Sequence, residues 1–129
     1  PNYVFDVQNE YAEFNPAPHL DRVKFIQEAT GYTDTYVVFE EATGFFRGSL
    51  SKDVDRMLLS ARHTRNRYFF CFHYIQAVPP QIFYMMNTVV LFKTTDDLNN
   101  VKKKYPKLLP AYIELQRAKN FEKKIIQLM

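Results

Sequence analysis

The chain has 129 residues, 47% of them hydrophobic and 16% aromatic, so it can bury one core and is not a disordered segment. No apolar run approaches the roughly 18 residues of a membrane span, and the single cysteine, Cys71, excludes an internal disulfide and fits a reducing compartment. The net charge of +3 is uneven, because residues 98–129 hold eight Lys and Arg against two Glu, whereas residues 1–97 hold nine against twelve Asp and Glu.

Four apolar runs have the length of β-strands, and none of them alternates apolar with polar residues. Continuous runs of this kind are typical of strands buried on both faces, as in parallel sheets. The segments between them are long enough for crossover helices. The predicted strands are Tyr3–Val7, Tyr36–Phe39, Tyr68–Phe72 and Thr88–Phe92. The predicted helices are His19–Thr30, Lys52–Arg62, Gln81–Met86, Asp96–Lys104 and a stretch from about Leu108 to the end.

Two of these helices have a clear apolar stripe. Ser51 is a plausible N-cap for the helix at residues 52–62, where Val54, Met57, Leu58 and Ala61 follow helical spacing. In the last helix the stripe is formed by residues 121, 125 and 128. The alternation of strands and helices predicts an α/β domain, a three-layer sandwich with a mostly parallel sheet.

Polar side chains stand where the predicted strands end. Asp6 ends the first strand, Glu40 and Glu41 the second, His73 the third and Lys93 the fourth. Ligands of parallel sheets bind at the carboxyl ends of the strands. A Mg²⁺ ion there would compensate the two adjacent carboxylates, since Mg²⁺ takes one or two carboxylates and keeps its waters. The neighbouring carboxylate could then orient or deprotonate a water.

The same dipeptide also has a plainer interpretation. Glu40 and Glu41 could form an exposed acidic pair that caps the strand and pairs with Arg62 or Arg65. The dipeptide by itself leaves both interpretations open.

Four segments in order resemble one enzyme family. "YVVFEEA" resembles a Walker B segment, an apolar strand that ends in a metal-linked acid and a catalytic Glu. "YVFDVQNEY" resembles the second-strand signature of FtsK/HerA-type motor ATPases, and "LLSARHTRNRYFFCFHYIQAVPP" resembles their next helix and sensor strand. "NTVVLFKT" resembles their last strand. The resemblance covers roughly residues 3–95 and implies a RecA-like P-loop NTPase core that couples ATP hydrolysis to DNA movement.

The resemblance also implies a role for individual residues. Glu40 would hold Mg²⁺ through water, and Glu41 would polarise the water that attacks the γ-phosphate. His73 would occupy the sensor position, where the family usually has Gln, and Gln76 is the alternative. Arg62 would act across a subunit interface, with Arg65 as the alternative. Asp6 would lie near the nucleotide, and Glu10 would only anchor a loop.

One departure from the family is large. The P-loop, G-x-x-x-x-G-K-[ST], should precede the strand that ends at Asp6, but the chain holds only Gly31, Gly44 and Gly48, and "GFFRGSLSK" has the wrong spacing. Either the chain, which begins with Pro1, is the C-terminal part of a longer ATPase, or it is a degenerate relative that no longer hydrolyses ATP. In the first case the core lacks its first strand, which lies centrally in this fold.

Other constellations favour structural roles. Cys71 and His73, with His63, match no closed zinc pattern, and Cys71 is expected to be a buried small hydrophobe. An aromatic group could stack nucleic-acid bases, but core packing is favoured for it. Its members are Tyr68, Phe69, Phe70, Phe72, Phe83 and Tyr84.

Two functions follow from the sequence. The first is part of an ATP-driven motor that translocates or packages DNA, with residues 1–95 as a partial ATPase core and residues 96–129 as a basic helical segment. Its cofactors would be ATP and Mg²⁺, its partners DNA and like subunits in a ring. Its place would be the cytoplasm or an intracellular stage of a virus or mobile element. The second is a non-catalytic α/β module that binds nucleic acid or a protein through the basic segment.

Overall fold

A computed structural model of the chain describes residues 2–5, 22–40, 42–46 and 52–128. The chain forms two compact units, Pro1–Phe72 and His73–Met129. Both units combine helices with strands, so the predicted α/β class is confirmed. The sequence-based boundary between residues 95 and 96 stays a prediction.

The first unit is built on a parallel sheet. Its strands are β1 (Asn2–Phe5), β2 (Tyr36–Phe39) and β3 (Arg67–Phe70). They lie in the order β1-β2-β3 and pair residue for residue, so that Phe5 lies beside Phe39 and Phe39 beside Phe70. The first three predicted strands are therefore confirmed. β2 has the predicted bounds, β3 begins one residue and ends two residues earlier than predicted, and residues 6 and 7 of the first predicted strand lie outside the described residues.

Helices cover one face of this sheet. The helices of the unit are α1 (Arg22–Thr30), α2 (Ala42–Phe45), α3 (Lys52–Leu59) and α4 (Ala61–Thr64). Phe25 of α1 meets the ring of Phe39 edge to face at 5.2 Å, and Phe39 stacks on Phe70 at 4.9 Å. Val54 and Met57 of α3 are buried in the same core, as the helical spacing predicted.

The helix predicted over residues 52–62 is interrupted. Ser60 separates α3 from α4, and its hydroxyl donates to the carbonyl of Met57 at 3.0 Å. A serine side chain that bonds to the preceding turn competes with the helical backbone, which accounts for the break. The proposed N-cap, Ser51, lies outside the described residues.

The opposite face of the sheet is open within the part of the chain that the structure describes. Tyr36 is 40% exposed and Phe69 50% exposed, and Arg67 lies beside them. The Arg67 guanidinium donates to the Tyr36 hydroxyl at 3.1 Å and lies 5.5 Å from the centre of that ring. Parallel sheets usually have both faces covered. The described residues of the first unit therefore form two layers, and a third layer stays a prediction.

A buried asparagine joins the amino ends of β2 and β3. Asn66 accepts from the Thr35 backbone N–H at 3.0 Å and donates to the Tyr32 carbonyl at 2.9 Å. The residues next to this link, Asp34 and Arg65, have positive φ and form an exposed ion pair at 2.7 Å. Asn66 thus satisfies backbone groups where two tight turns leave them without ladder partners.

Asn66→Ala should lower the free energy of unfolding by about 2 kcal/mol, because the Thr35 N–H would be left buried without an acceptor. Urea unfolding followed by circular dichroism would measure the change. Asn120→Ala, at an exposed position, is the matched control and should have little effect. Equal stability of the two variants would contradict the structural role of Asn66.

The second unit pairs two antiparallel strands with three helices. The strands are β4 (Thr88–Phe92) and β5 (Lys123–Gln127), and the helices are α5 (Pro80–Met85), α6 (Leu98–Lys104) and α7 (Leu109–Gln116). The bounds of β4 agree with the sequence, but its partner does not. Thr88 faces Gln127 and Phe92 faces Lys123, so β4 pairs antiparallel with β5 and not with the parallel strands.

The helix predicted from Leu108 to the end is wrong beyond Gln116. Phe121 has a φ of 70°, a left-handed conformation that ends any helix, and it is 92% exposed. In β5 the side chains alternate, with Ile126 against the core and Ile125 exposed. The three-residue stripe expected from helical spacing therefore does not form. A salt bridge of 2.7 Å between Glu114 and Lys124 joins α7 to β5.

Tyr105 is the largest fully buried side chain of the second unit. Its ring stacks on Phe83 with centres 4.0 Å apart, and its hydroxyl donates to the Val78 carbonyl. Burial raises the pKa of Tyr105 to about 12, with a further contribution from Tyr84. The neutral phenol is therefore the form that this core requires.

This raised pKa makes a prediction about alkaline pH. Below about pH 10 the phenol is neutral in both the folded and the unfolded protein, and its contribution to stability is complete. As the pH rises from about 10 through about 12, the phenol of the unfolded protein ionises first, and the free energy of unfolding falls by up to about 3 kcal/mol. Tyr105→Phe should remove that part of the alkaline loss. Urea unfolding at neutral and at alkaline pH would show it, with Tyr74→Phe at an exposed position as the control. Identical pH profiles for wild type and Tyr105→Phe would contradict the assignment.

Candidate functional site

At the carboxyl edge of the parallel sheet, two backbone hydrogen bonds join the residues that follow β2 and β3. The Cys71 N–H donates to the Phe39 carbonyl at 3.0 Å, and the Ala42 N–H donates to the Cys71 carbonyl at 3.1 Å. Glu40 lies between these two links, in the turn that joins β2 to α2, and is half-buried. The structure therefore places Glu40 at the edge that the sequence predicted, on a backbone fixed from both sides.

Glu40, a half-buried carboxylate at a strand end, has the chemistry for the water-mediated contact to Mg²⁺ that the family resemblance implies. Within the described ranges no three His, Cys, Asp or Glu side chains form a group that could hold a metal directly. The other acids of the predicted site, Asp6, Glu10 and Glu41, lie outside the described residues.

Cys71 and two of the aromatic residues differ from expectation. Cys71, expected to be buried, is exposed, because it follows β3 directly and continues the row of Arg67 and Phe69 on the open face of the sheet. Phe69 is half exposed for the same reason. Tyr84, expected in the core, is 71% exposed on α5, whereas its neighbour Phe83 is buried.

The arginines lie toward the other edge of the sheet. Arg62 is exposed on α4, which leads into the amino end of β3. A four-residue strand spans about 13 Å, so the sheet separates Arg62 from the edge at which Glu40 lies. Arg65 pairs with Asp34 at this amino edge. The structure therefore does not bring either arginine to Glu40 of the same subunit.

The two sensor candidates belong to the second unit, where one carboxylate fixes their segment. His73 is exposed, and Gln76 lies in a turn of 3₁₀ helix, Ile75–Ala77. Asp96 accepts from the N–H groups of Ile75 and Gln76 at 2.8 and 2.9 Å, and from the Thr94 hydroxyl at 2.6 Å. The segment between β3 and α5 is thus tied to the residues that follow β4.

Further contacts hold Gln76 itself. Its side-chain oxygen accepts from Asn100 at 3.4 Å, and its carbonyl accepts from the Lys104 ammonium at 2.6 Å. The Tyr112 hydroxyl donates to the Asp96 carbonyl, and burial, followed by Asp96, raises the pKa of Tyr112. Sequence reasoning missed Asp96, although an acid two residues after Thr94 at the end of a strand was a signal for an anchored turn.

Asp96→Asn should destabilise the second unit by about 2 kcal/mol, because an amide offers one acceptor where the carboxylate offers two, and bonds to a charged group are the stronger ones. Hydrogen exchange should also accelerate at the Gln76 amide. Asp97→Asn is the matched control, since Asp97 caps α6 and Asn caps a helix as well as Asp. Equal exchange at Gln76 in both variants would show that Asp96 does not hold this segment.

Known structures resemble the chain, although no family model matches its sequence and no curated protein matches it either. The genome packaging NTPase B204 from Sulfolobus turreted icosahedral virus 2, in complex with AMPPCP, superposes with a TM-score of 0.79 at 16% identity; the match covers 98% of this chain and 76% of that one. The same NTPase in complex with ATP-gammaS gives 0.79 at 15% identity, with the same coverage.

A further structure of a DNA-packaging ATPase also superposes on the chain. B204, the DNA-packaging ATPase from Sulfolobus turreted icosahedral virus, gives a TM-score of 0.73 at 14% identity, covering 99% of this chain and 75% of that one. None of the helices in the described part of this chain combines the length and the apolar character that crossing a membrane requires. The superpositions above show that the chain has the α/β fold of a viral genome packaging NTPase.

Proposed function

We propose that this chain is part of an ATP-hydrolysing motor that translocates or packages DNA. The observation that carries the proposal is the match of nearly the whole chain to packaging NTPases that were solved with ATP analogues. Glu40 supports it independently, because it stands at the carboxyl edge of the parallel sheet, where nucleotides bind in such folds. The Walker B resemblance of residues 36–42 agrees with this position.

The proposed chemistry divides among the predicted residues. Glu40 holds the hydrated Mg²⁺, which supplies positive charge to the phosphates when bound. Glu41 orients the attacking water and accepts its proton. His73 or Gln76 senses the γ-phosphate, from a segment that Asp96 keeps in one conformation. Arg62 serves the site of a neighbouring subunit in a ring, which agrees with its distance from the carboxyl edge of its own sheet.

The sheet itself supports the proposal of an additional strand. Among the described residues β3 has a strand partner on one side only, and β4 pairs with β5 and with no parallel strand. A strand that carries the phosphate-binding loop would account for the unpaired edge of β3. We propose that a further segment of the same protein supplies this strand, since residues 1–129 contain no P-loop motif.

Glu41→Gln tests the proposal in the protein that carries this chain together with its phosphate-binding loop. Loss of a general base should lower the ATPase rate by roughly 10²–10⁴-fold while nucleotide binding persists. Glu122→Gln, an exposed glutamate of the second unit, is the matched control and should keep the wild-type rate. An unchanged rate in Glu41→Gln would overturn the assignment, and a protein that binds DNA without hydrolysing ATP would support the non-catalytic module.

A further inference from the structure

A small cleft in the second unit combines aromatic rings with ammonium groups. It has a volume of about 190 Å³ and lies between α5 and the residues that follow α6. Its lining consists of Phe83, Tyr84, Met86, Lys104, Tyr105, Pro106, Lys107 and Leu128. Among the described residues no carboxylate contributes to this lining, so the cleft favours an anionic ligand.

One of the two cations is held in place before any ligand arrives. The Lys104 ammonium donates to the Gln76 carbonyl at 2.6 Å and lies 5.4 Å from the centre of the Tyr105 ring. Lys107 is exposed beside it. A cation that is already positioned loses little side-chain entropy on binding, which favours a contact to phosphate.

Charge across the unit agrees with this preference. Residues 73–129 hold nine Lys and Arg against four Asp and Glu, whereas residues 1–72 hold eight against ten. Of the four acids, Asp96 and Asp97 bind backbone N–H groups, and Glu114 pairs with Lys124. Few acidic side chains of the second unit are therefore left to neutralise its excess positive charge.

One aromatic ring of the cleft is exposed, and it packs against one of two buried rings. Phe83 and Tyr105 stack on each other and are buried. Tyr84 meets Phe83 edge to face at 5.8 Å and is itself 71% exposed. Its outer surface is thus available to a flat ligand.

The size of the cleft limits what this ligand can be. Sites for whole small molecules or cofactors usually enclose about 300–1,000 Å³, more than this cleft provides. A flat group that stacks on an exposed ring, attached to phosphates that reach two lysines, fits the dimensions and the charge. Nucleobases of an unpaired strand combine these features, whereas the bases of a duplex are already stacked.

We propose that this cleft binds single-stranded DNA, with a base stacked on Tyr84 and the backbone phosphates on Lys104 and Lys107. The identity of the polymer rests on the proposed function, in which DNA is the substrate. The site itself rests on the geometry of the second unit. It gives the motor a contact with an unpaired strand, such as a frayed end of the genome.

Fluorescence anisotropy with a labelled oligothymidylate, without nucleotide and at low salt, tests the proposal. Tyr84→Ala should weaken binding about tenfold, whereas Tyr84→Phe should retain it because stacking needs only the ring. Phe121→Ala, at another exposed ring, should not change the affinity. Lys107→Gln should weaken binding and reduce the salt slope by roughly 0.7, and Lys119→Gln, also exposed, should leave the slope unchanged.

Three outcomes would overturn the proposal. In the first, wild type and Tyr84→Ala bind the oligonucleotide with equal affinity. In the second, Tyr84→Phe binds as weakly as Tyr84→Ala, and in the third the protein prefers duplex DNA to single-stranded DNA. Absence of any DNA binding would overturn it as well. The turnover of Glu41→Gln is measured separately, so ATP hydrolysis can stand even where this DNA contact fails.

Discussion

The residue-for-residue parallel pairing of β1, β2 and β3 is the constraint on which the first unit depends. Because the three strands run in one direction, their carboxyl ends meet at one edge, and the chain places Glu40 there. The same pairing sends the turns around Asn66 and the exposed Arg62 toward the opposite edge. The two edges therefore carry different groups, a half-buried carboxylate at one and the exposed Arg62 with the Asp34–Arg65 ion pair at the other.

In the second unit a carboxylate and a buried phenol add organising contacts to the pairing of β4 with β5. Asp96 gathers two N–H groups and a hydroxyl, and the Tyr105 hydroxyl binds the Val78 carbonyl beyond them. Together they fix both ends of the segment that carries Gln76. In the proposed motor, this anchoring would let the segment move as one body when a phosphate is released.

Sequence patterns located the strands well because continuous apolar runs bounded by polar residues leave few alternatives, as at Tyr36–Phe39 and Thr88–Phe92. They failed where tertiary context decides. The apolar residues after Phe121 are compatible with helical and with strand spacing, and only pairing with β4 selects the strand. The exposure of Phe69 and Cys71 could not be predicted either, because an apolar run does not reveal whether a second layer covers the other face of the sheet. The position of Glu40 was predictable, since it follows from strand direction alone.

Hydrogen–deuterium exchange of the protein that carries this chain, with and without ATP-gammaS and Mg²⁺, tests the central claim most directly. If the carboxyl edge of the sheet is the nucleotide site, peptides that contain residues 39–42 should gain protection. Peptides around Asn66, at the amino edge, should not change in a subunit kept from assembling. Protection confined to the amino edge, or none at residues 39–42 under saturating nucleotide, would contradict the account.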